Sequence, residues 1–200
     1  MKKTAFLFLL AATALFAFRS VTELPIGATM PKAEVKLKDV TGKEVSLADA
    51  KGANGLLVMF SCNTCPFVVK NQSRTAEIGN YAMAKKVGVI LVNSNEALRA
   101  KDDSFDAMQA YAKEQGYKWS YVVDPKSELA DAFGATRTPE CFLFDKDGKL
   151  VYHGAIDDNP GNSEGVTRKH LQIAVDELTG GKEIAVKTSR SVGCSIKRAP

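Results

Sequence analysis

Hydrophobic and polar positions fall into short blocks along this chain, and the blocks alternate between two periods. Residues 34–38 alternate polar with apolar, Val35 and Leu37 sharing one side, and Val45 and Leu47 resume the alternation after Thr41-Gly42-Lys43. This predicts an N-terminal β-hairpin with one buried face. Residues 56–60 are apolar on both faces, as a central strand covered by helices requires. Residues 66–86 contain one glycine, Gly79, and Phe67, Ile78, Tyr81 and Ala82 fit a single buried stripe, so one long helix is predicted. A second apolar strand covers 87–92 and stops at Asn93-Ser94-Asn95. Residues 102–115 begin with acids, carry Phe105, Met108 and Ala112 at helical spacing, and end at Gly116. A strand at 119–123, a short helix at 127–133 closed by Gly134, and buried strands at 141–144 and 150–152 follow, the last two joined by Asp145-Lys146-Asp147-Gly148. A final helix over 166–178 ends at Gly180-Gly181. Strands and helices alternating at this length predict an α/β fold whose central sheet is mainly parallel, with helices on both faces.

Composition agrees with one ordinary globular domain: 200 residues, 45% hydrophobic and 25% charged. The first twenty residues stand apart, with two lysines and then an apolar run over 5–18 that reads as a secretory signal peptide. The run is short for a bilayer span, yet Phe18-Arg19-Ser20 makes a poor cleavage site, so an uncleaved anchor touching the membrane stays open. Removing 1–20 takes away Lys2, Lys3 and Arg19 with no acid, and the formal charge falls from +4 to +1. The basic balance is therefore partly an export feature, and it carries no nucleic-acid footprint. The organisation expected is a signal peptide at 1–20, one domain at 21–181, and a basic tail at 182–200 carrying Cys194. Export to the periplasm or another extracytoplasmic space puts four cysteines where disulfides persist.

The stretch 55–67, GLLVMFSCNTCPF, carries the candidate chemistry. A strand ending in Cys-x-x-Cys puts both sulfurs at one exposed strand-to-helix corner, close enough to make and break a disulfide. Cys62 comes first, and the positive end of the helix dipole favours its thiolate, lowering its pKa below about 8.5. Cys62 is then the nucleophile, and Cys65 resolves the mixed disulfide. Pro66 is tolerated because a first-turn N–H has no intrahelical partner. The competing readings are an inert stapling disulfide or half a zinc site. A zinc site of the common kind wants a second close Cys or His pair, and Cys141, His153, His170 and Cys194 are widely spaced.

Pro139 precedes a buried strand, where a proline inside would cost a ladder hydrogen bond; a cis Thr138-Pro139 bond at the strand entrance avoids this. With CNTCPF at Cys62, TRTPECFLFD ending at Asp145, YHGAIDDN at Tyr152 and GCSIK at Gly193, the chain resembles the thioredoxin-like superfamily. The likeness is to exported redoxin-domain proteins of the alkyl hydroperoxide reductase and thiol-specific antioxidant group, over about residues 27–197. The resemblance implies a thioredoxin-like fold, Cys62 and Cys65 as the redox pair, and a cis Pro139 lying against them. It also implies that Thr138 offers backbone hydrogen bonds to a bound peptide or thiol, which makes Thr138, Pro139, Asn63 and Thr64 the expected substrate contacts. Asn63-Thr64 stands where thioredoxins carry Gly-Pro, and Ser61 where they carry Trp. The peroxiredoxin Pro-x-x-x-Thr-x-x-Cys pattern is missing: counting back from Cys62 gives Gly55 and Met59, and from Cys65 gives Val58 and Cys62.

Cys141 lies on an apolar strand and reads first as a small buried hydrophobe, second as a third thiol near the corner. Cys194 sits in a basic tail, where Val192 and Ile196 suggest that the tail folds back and brings this sulfur to the dithiol as an auxiliary or resolving thiol. Arg137 is the nearby cation to stabilise a peroxidatic thiolate in the peroxidase reading. His153 and His170 read as surface or packing residues, and Asp157-Asp158-Asn159 as a solvated turn. The function expected is an exported thiol-disulfide oxidoreductase. It needs no bound cofactor beyond its own Cys62–Cys65 disulfide, no metal and no nucleic acid, and it works with a dithiol electron-donor protein and a disulfide-containing protein or thiol. A peroxiredoxin-like thiol peroxidase is the alternative, and a copper- or zinc-binding thioredoxin-fold module a third reading.

Overall fold

The computed structural model describes residues 22–199. At its centre lies β3 (Gly55–Ser61), every residue of which is buried. Successive strand side chains point to opposite faces, so Leu57 and Met59 enter one core while Leu56, Val58 and Phe60 enter the other. β4 (Val87–Asn93) pairs parallel with β3, and β5 (Ser120–Val123) parallel with β4. On the other side β7 (Glu140–Phe144) pairs antiparallel with β3, and β8 (Leu150–Gly154) antiparallel with β7. The sheet order is β5-β4-β3-β7-β8. The mainly parallel expectation thus holds across β3, β4 and β5, where helices serve as crossovers. It gives way at β7, which runs antiparallel to β3, and the short turn after β7 returns the chain antiparallel again as β8.

One face is covered by α3 (Gln72–Ala84), α4 (Phe105–Glu114) and α6 (His170–Thr179), which bury Ile78, Met108 and Leu171 against Leu57 and Met59. The other is covered by α1 (Leu47–Ala50) and α5 (Glu128–Phe133), where Phe133 meets Phe142 and Phe144 edge-on at 5.2 and 5.6 Å. The hairpin is short: β1 (Leu37–Lys38) pairs with β2 (Glu44–Val45). Leu47 does not continue it, because Ser46 and Asp49 exchange the two hydrogen bonds of a capping box and open α1.

The helix expected over 66–86 is two helices, α2 (Pro66–Lys70) and α3, broken at Asn71. The Asn71 side chain donates to Phe67 O at 2.7 Å and to Pro160 O at 3.0 Å, a local bond that competes with the helical ladder.

After α6 the basic tail is built into the domain. The amide of His153 donates to Lys187 O and that of Ser189 to His153 O, so the tail runs beside β8. It then crosses to β6 (Arg137–Thr138), with which β9 (Cys194–Ser195) pairs antiparallel. Ile184 and Ile196 are buried in the process. Among the described residues no helix is long and apolar enough to cross a membrane; the segment read as a signal peptide lies outside them.

Candidate active site

β3 ends at Ser61, residues 62–65 turn the corner, and α2 starts at Pro66 with Cys65 as its N-cap. The four cysteines are free thiols. The Thr138–Pro139 peptide bond is cis, and Thr138 faces the dithiol with two oxygens. Its Oγ1 lies 3.4 Å from Cys62 Sγ, and its carbonyl oxygen accepts from the Cys65 thiol at 3.3 Å. Strand pairing sets Cys194 opposite Thr138. The Cys194 thiol and backbone N–H both reach the Cys65 sulfur, and the Cys194 sulfur accepts from the Phe67 N–H in the first turn of α2. Three sulfurs therefore lie in a row, with Cys65 in the middle.

This arrangement ties the acidities of the two sulfurs together. The hydrogen bond Cys62 gives to Cys65, with burial behind it, pushes the Cys62 thiol well up. The same bond, joined by donors from Cys194 and the Val68 N–H, holds Cys65 down to about 4 against the opposing effect of burial. Cys65 is the N-cap of α2, and Cys62 precedes it in the chain, near the Asp103 carboxylate. The two sulfurs therefore titrate together as one pair.

The corner is also not open. Cys62 is 1% exposed and Cys65 5%, because the tail strand lies over them. Cys194 is only partly buried.

Other expected site residues divide. Thr64 is exposed at the corner, and Pro139 is half-buried beside it. Asn63 is buried and its groups are taken: its N–H donates to Asp103 Oδ1 (2.9 Å), its Nδ2 to Asp102 O (2.8 Å), and its Oδ1 accepts from Tyr121 (2.9 Å). It anchors the corner and does not face a substrate. Arg137 is exposed and its Nη1 donates to Gly193 O at 3.3 Å, clamping the tail. Cys141 is fully buried on β7, where burial pushes its thiol up, as suits a packing residue.

The sequence reading missed the polar frame behind the corner. Asp103, fully buried, also accepts from Asn93 Nδ2 and Asn95 Nδ2. Asn93-Ser94-Asn95 looked like a strand stop; three small polar residues at the end of a buried strand were the signal. Glu140 was missed too: its Oε2 accepts the N–H groups of Thr136 and Arg137 at 2.8 and 2.9 Å, fixing the segment that enters Pro139. Its Oε1 meets His153 Nε2 at 2.7 Å, so His153 is a buried part of this frame and not a surface residue. Asp157 is buried in an ion pair with Arg74, away from the dithiol.

Comparison with known proteins agrees with the geometry. The chain is 29% identical over 134 residues to thiol-disulfide oxidoreductase ResA of Bacillus thuringiensis subsp. konkukian, covering 67% of this chain and 72% of the relative. An uncharacterized conserved protein from Geobacillus kaustophilus superposes with a TM-score of 0.82 at 38% identity, covering 88% of this chain and 93% of that one. A hypothetical protein of Sinorhizobium meliloti, SMc02350, superposes at 0.81 with 34% identity, covering 89% and 97%. The fold is thioredoxin-like, and the Redoxin profile matches residues 25–170: the chain belongs to the Redoxin family.

Proposed function

We propose that this protein is an exported thiol-disulfide oxidoreductase whose Cys62–Cys65 dithiol stores the two electrons exchanged with a partner. The reading is supported most by one observation: a single residue, Thr138, contacts both sulfurs, through Oγ1 at 3.4 Å and the carbonyl at 3.3 Å. That geometry sets both thiols against one residue and orients each of them. Hydrogen bonding between the sulfurs favours the thiolate on one of them, and the thiolate is the form that attacks a disulfide.

In the reductive direction a thiolate attacks one sulfur of the partner disulfide, a mixed disulfide forms, and a second thiol of this protein displaces the reduced partner. The dithiol ends as the Cys62–Cys65 disulfide, and a partner dithiol protein returns the two electrons. The relatives named as thiol-disulfide oxidoreductases support the activity. The charged and apolar N-terminal run supports export.

Insulin reduction by the full chain tests the reading. Wild type is expected to precipitate insulin, and Cys62→Ser and Cys65→Ser each to lose the activity. Hydroperoxide consumption with a sulfenic acid trapped on Cys62, and no insulin reduction, overturns it in favour of a peroxidase.

A further inference from the structure

The dithiol is sealed, yet a disulfide-exchange protein must touch its partner sulfur to sulfur. Cys62 and Cys65 are 1% and 5% exposed, whereas Cys194 reaches solvent. We propose that Cys194 is the sulfur through which the buried pair meets its partners, with Cys65 passing the disulfide between Cys194 and Cys62. This rests on the oxidoreductase reading above and adds the route of access.

Three features carry it. The register Thr138↔Cys194 puts the third sulfur across from the residue whose two oxygens touch the other two. Cys65 lies within interaction range of both Cys62 and Cys194. Cys194 is also held in place. On its C-terminal side the Ile196 N–H donates to Thr136 O at 3.0 Å, the Lys197 N–H to Asn95 Oδ1 at 2.9 Å, and the Arg198 Nε to Asp131 Oδ1 at 2.8 Å. On the other side Arg137 grips the Gly193 carbonyl. A tail that served only as a cover would not need a thiol aimed at Cys65 or an N–H from α2 directed at that thiol's sulfur.

The steps balance. Cys194 attacks one sulfur of a partner disulfide R–S–S–R′, the Cys194–S–R bond forms, and R′S⁻ leaves with the proton from Cys194. Cys65 then attacks the Cys194 sulfur; the Cys65–Cys194 bond forms, and RS⁻ leaves with the proton from Cys65. Cys62 attacks Cys65, the Cys62–Cys65 bond forms, and Cys194 departs, taking the proton of Cys62. Two electrons have passed from the dithiol to the partner, and Cys194 is again a thiol. A partner dithiol restores the resting state by the reverse sequence, itself becoming a disulfide. The two internal transfers occur between neighbouring sulfurs, where proximity accelerates exchange most.

Two full-chain variants test the route. In Cys65→Ser the relay stops after its first step, so incubation with a fluorescent cystine peptide is expected to leave the label on Cys194 by peptide mapping. Label on Cys62 with Cys194 unlabelled overturns the proposal, and so does no label on either. In Cys194→Ser, insulin reduction is expected to fall at least tenfold in kcat/KM, whereas a rate equal to or above wild type makes the tail a mere cover and overturns the relay. That last outcome leaves the Cys62–Cys65 activity standing; failure of wild type to reduce insulin removes the underlying reading instead.

Discussion

The Asp103 carboxylate accepts the backbone N–H of Asn63 over 2.9 Å, with both residues buried, and so fixes the corner that presents the two sulfurs. The same carboxylate takes amide donors from Asn93 and Asn95. Replacing it by Asn keeps the shape but turns one acceptor into a donor facing another donor. Asp103→Asn is therefore expected to cost about 2–3 kcal/mol, the penalty of an unsatisfied buried polar group. Burial and the Cys65 bond account for most of the rise in the Cys62 pKa, and the Asp103 charge adds to it. The variant should thus ionise Cys62 at lower pH. Urea unfolding and far-ultraviolet thiolate absorbance measure the two effects; unchanged values of both would remove Asp103 from the frame of the site.

Gly193 packs so closely on Thr138 that a Cβ built there would lie 2.1 Å from the Thr138 carbonyl oxygen. Gly193→Ala must therefore pry β9 from β6. Cys65 then loses the Cys194 thiol and N–H as donors, and its pKa is expected to rise from about 4. Global stability should fall by only about 1 kcal/mol, since the core is untouched. Iodoacetamide labelling of Cys62 and Cys65 should accelerate severalfold once the cover lifts. Labelling at the wild-type rate would mean that the tail does not guard the dithiol.

Much of this architecture is legible in the sequence. The continuous apolar runs at Leu56 and Val87 announce strands buried on both faces, and Pro66 and Gly134 mark real helix ends. The cysteine pair is visible for the same reason, because its meaning lies in local spacing. What the sequence hides depends on long-range contacts. Nothing near Asn71 announces that its side chain will reach Pro160 and break a helix. The strand pairing that sets Cys194 opposite Thr138, beside the buried dithiol, joins positions far apart in the chain.

Arg74 joins α3 to the loop after β8. Its Nη1 meets both Asp157 oxygens, at 2.9 and 2.7 Å, and its guanidinium also donates to Lys70 O, Asn159 O and Pro160 O. Both side chains are nearly buried, at 9% and 3% exposure. Removing the cation alone strands a buried carboxylate, so Arg74→Met is expected to cost about 3–5 kcal/mol. Replacing both in Arg74→Met/Asp157→Leu should recover part of that loss. Chemical denaturation of the single and double variants checks it, and strictly additive losses would show that the two groups are not coupled.

His153 lies between Glu140 and Glu23, with Nε2 at 2.7 Å from one and Nδ1 at 2.6 Å from the other, and its ring stacks on Phe142 at 4.1 Å. Burial alone would lower its pKa. The hydrogen bond and charge of Glu140, with those of Glu23, outweigh that and raise it above 6.5. The folded protein therefore binds this proton more tightly than the unfolded chain does. The stability it supplies is complete below about pH 6.5 and disappears as pH rises through the folded value. Because Glu140 also holds the Thr136 and Arg137 N–H groups, the loss falls on the segment that carries Thr138 to the dithiol. Urea midpoints of wild type should fall as pH is raised above that value, and His153→Gln, which cannot titrate, should lack this component. A wild-type profile that stays level, or a slope that survives in His153→Gln, would assign the pH dependence to other groups.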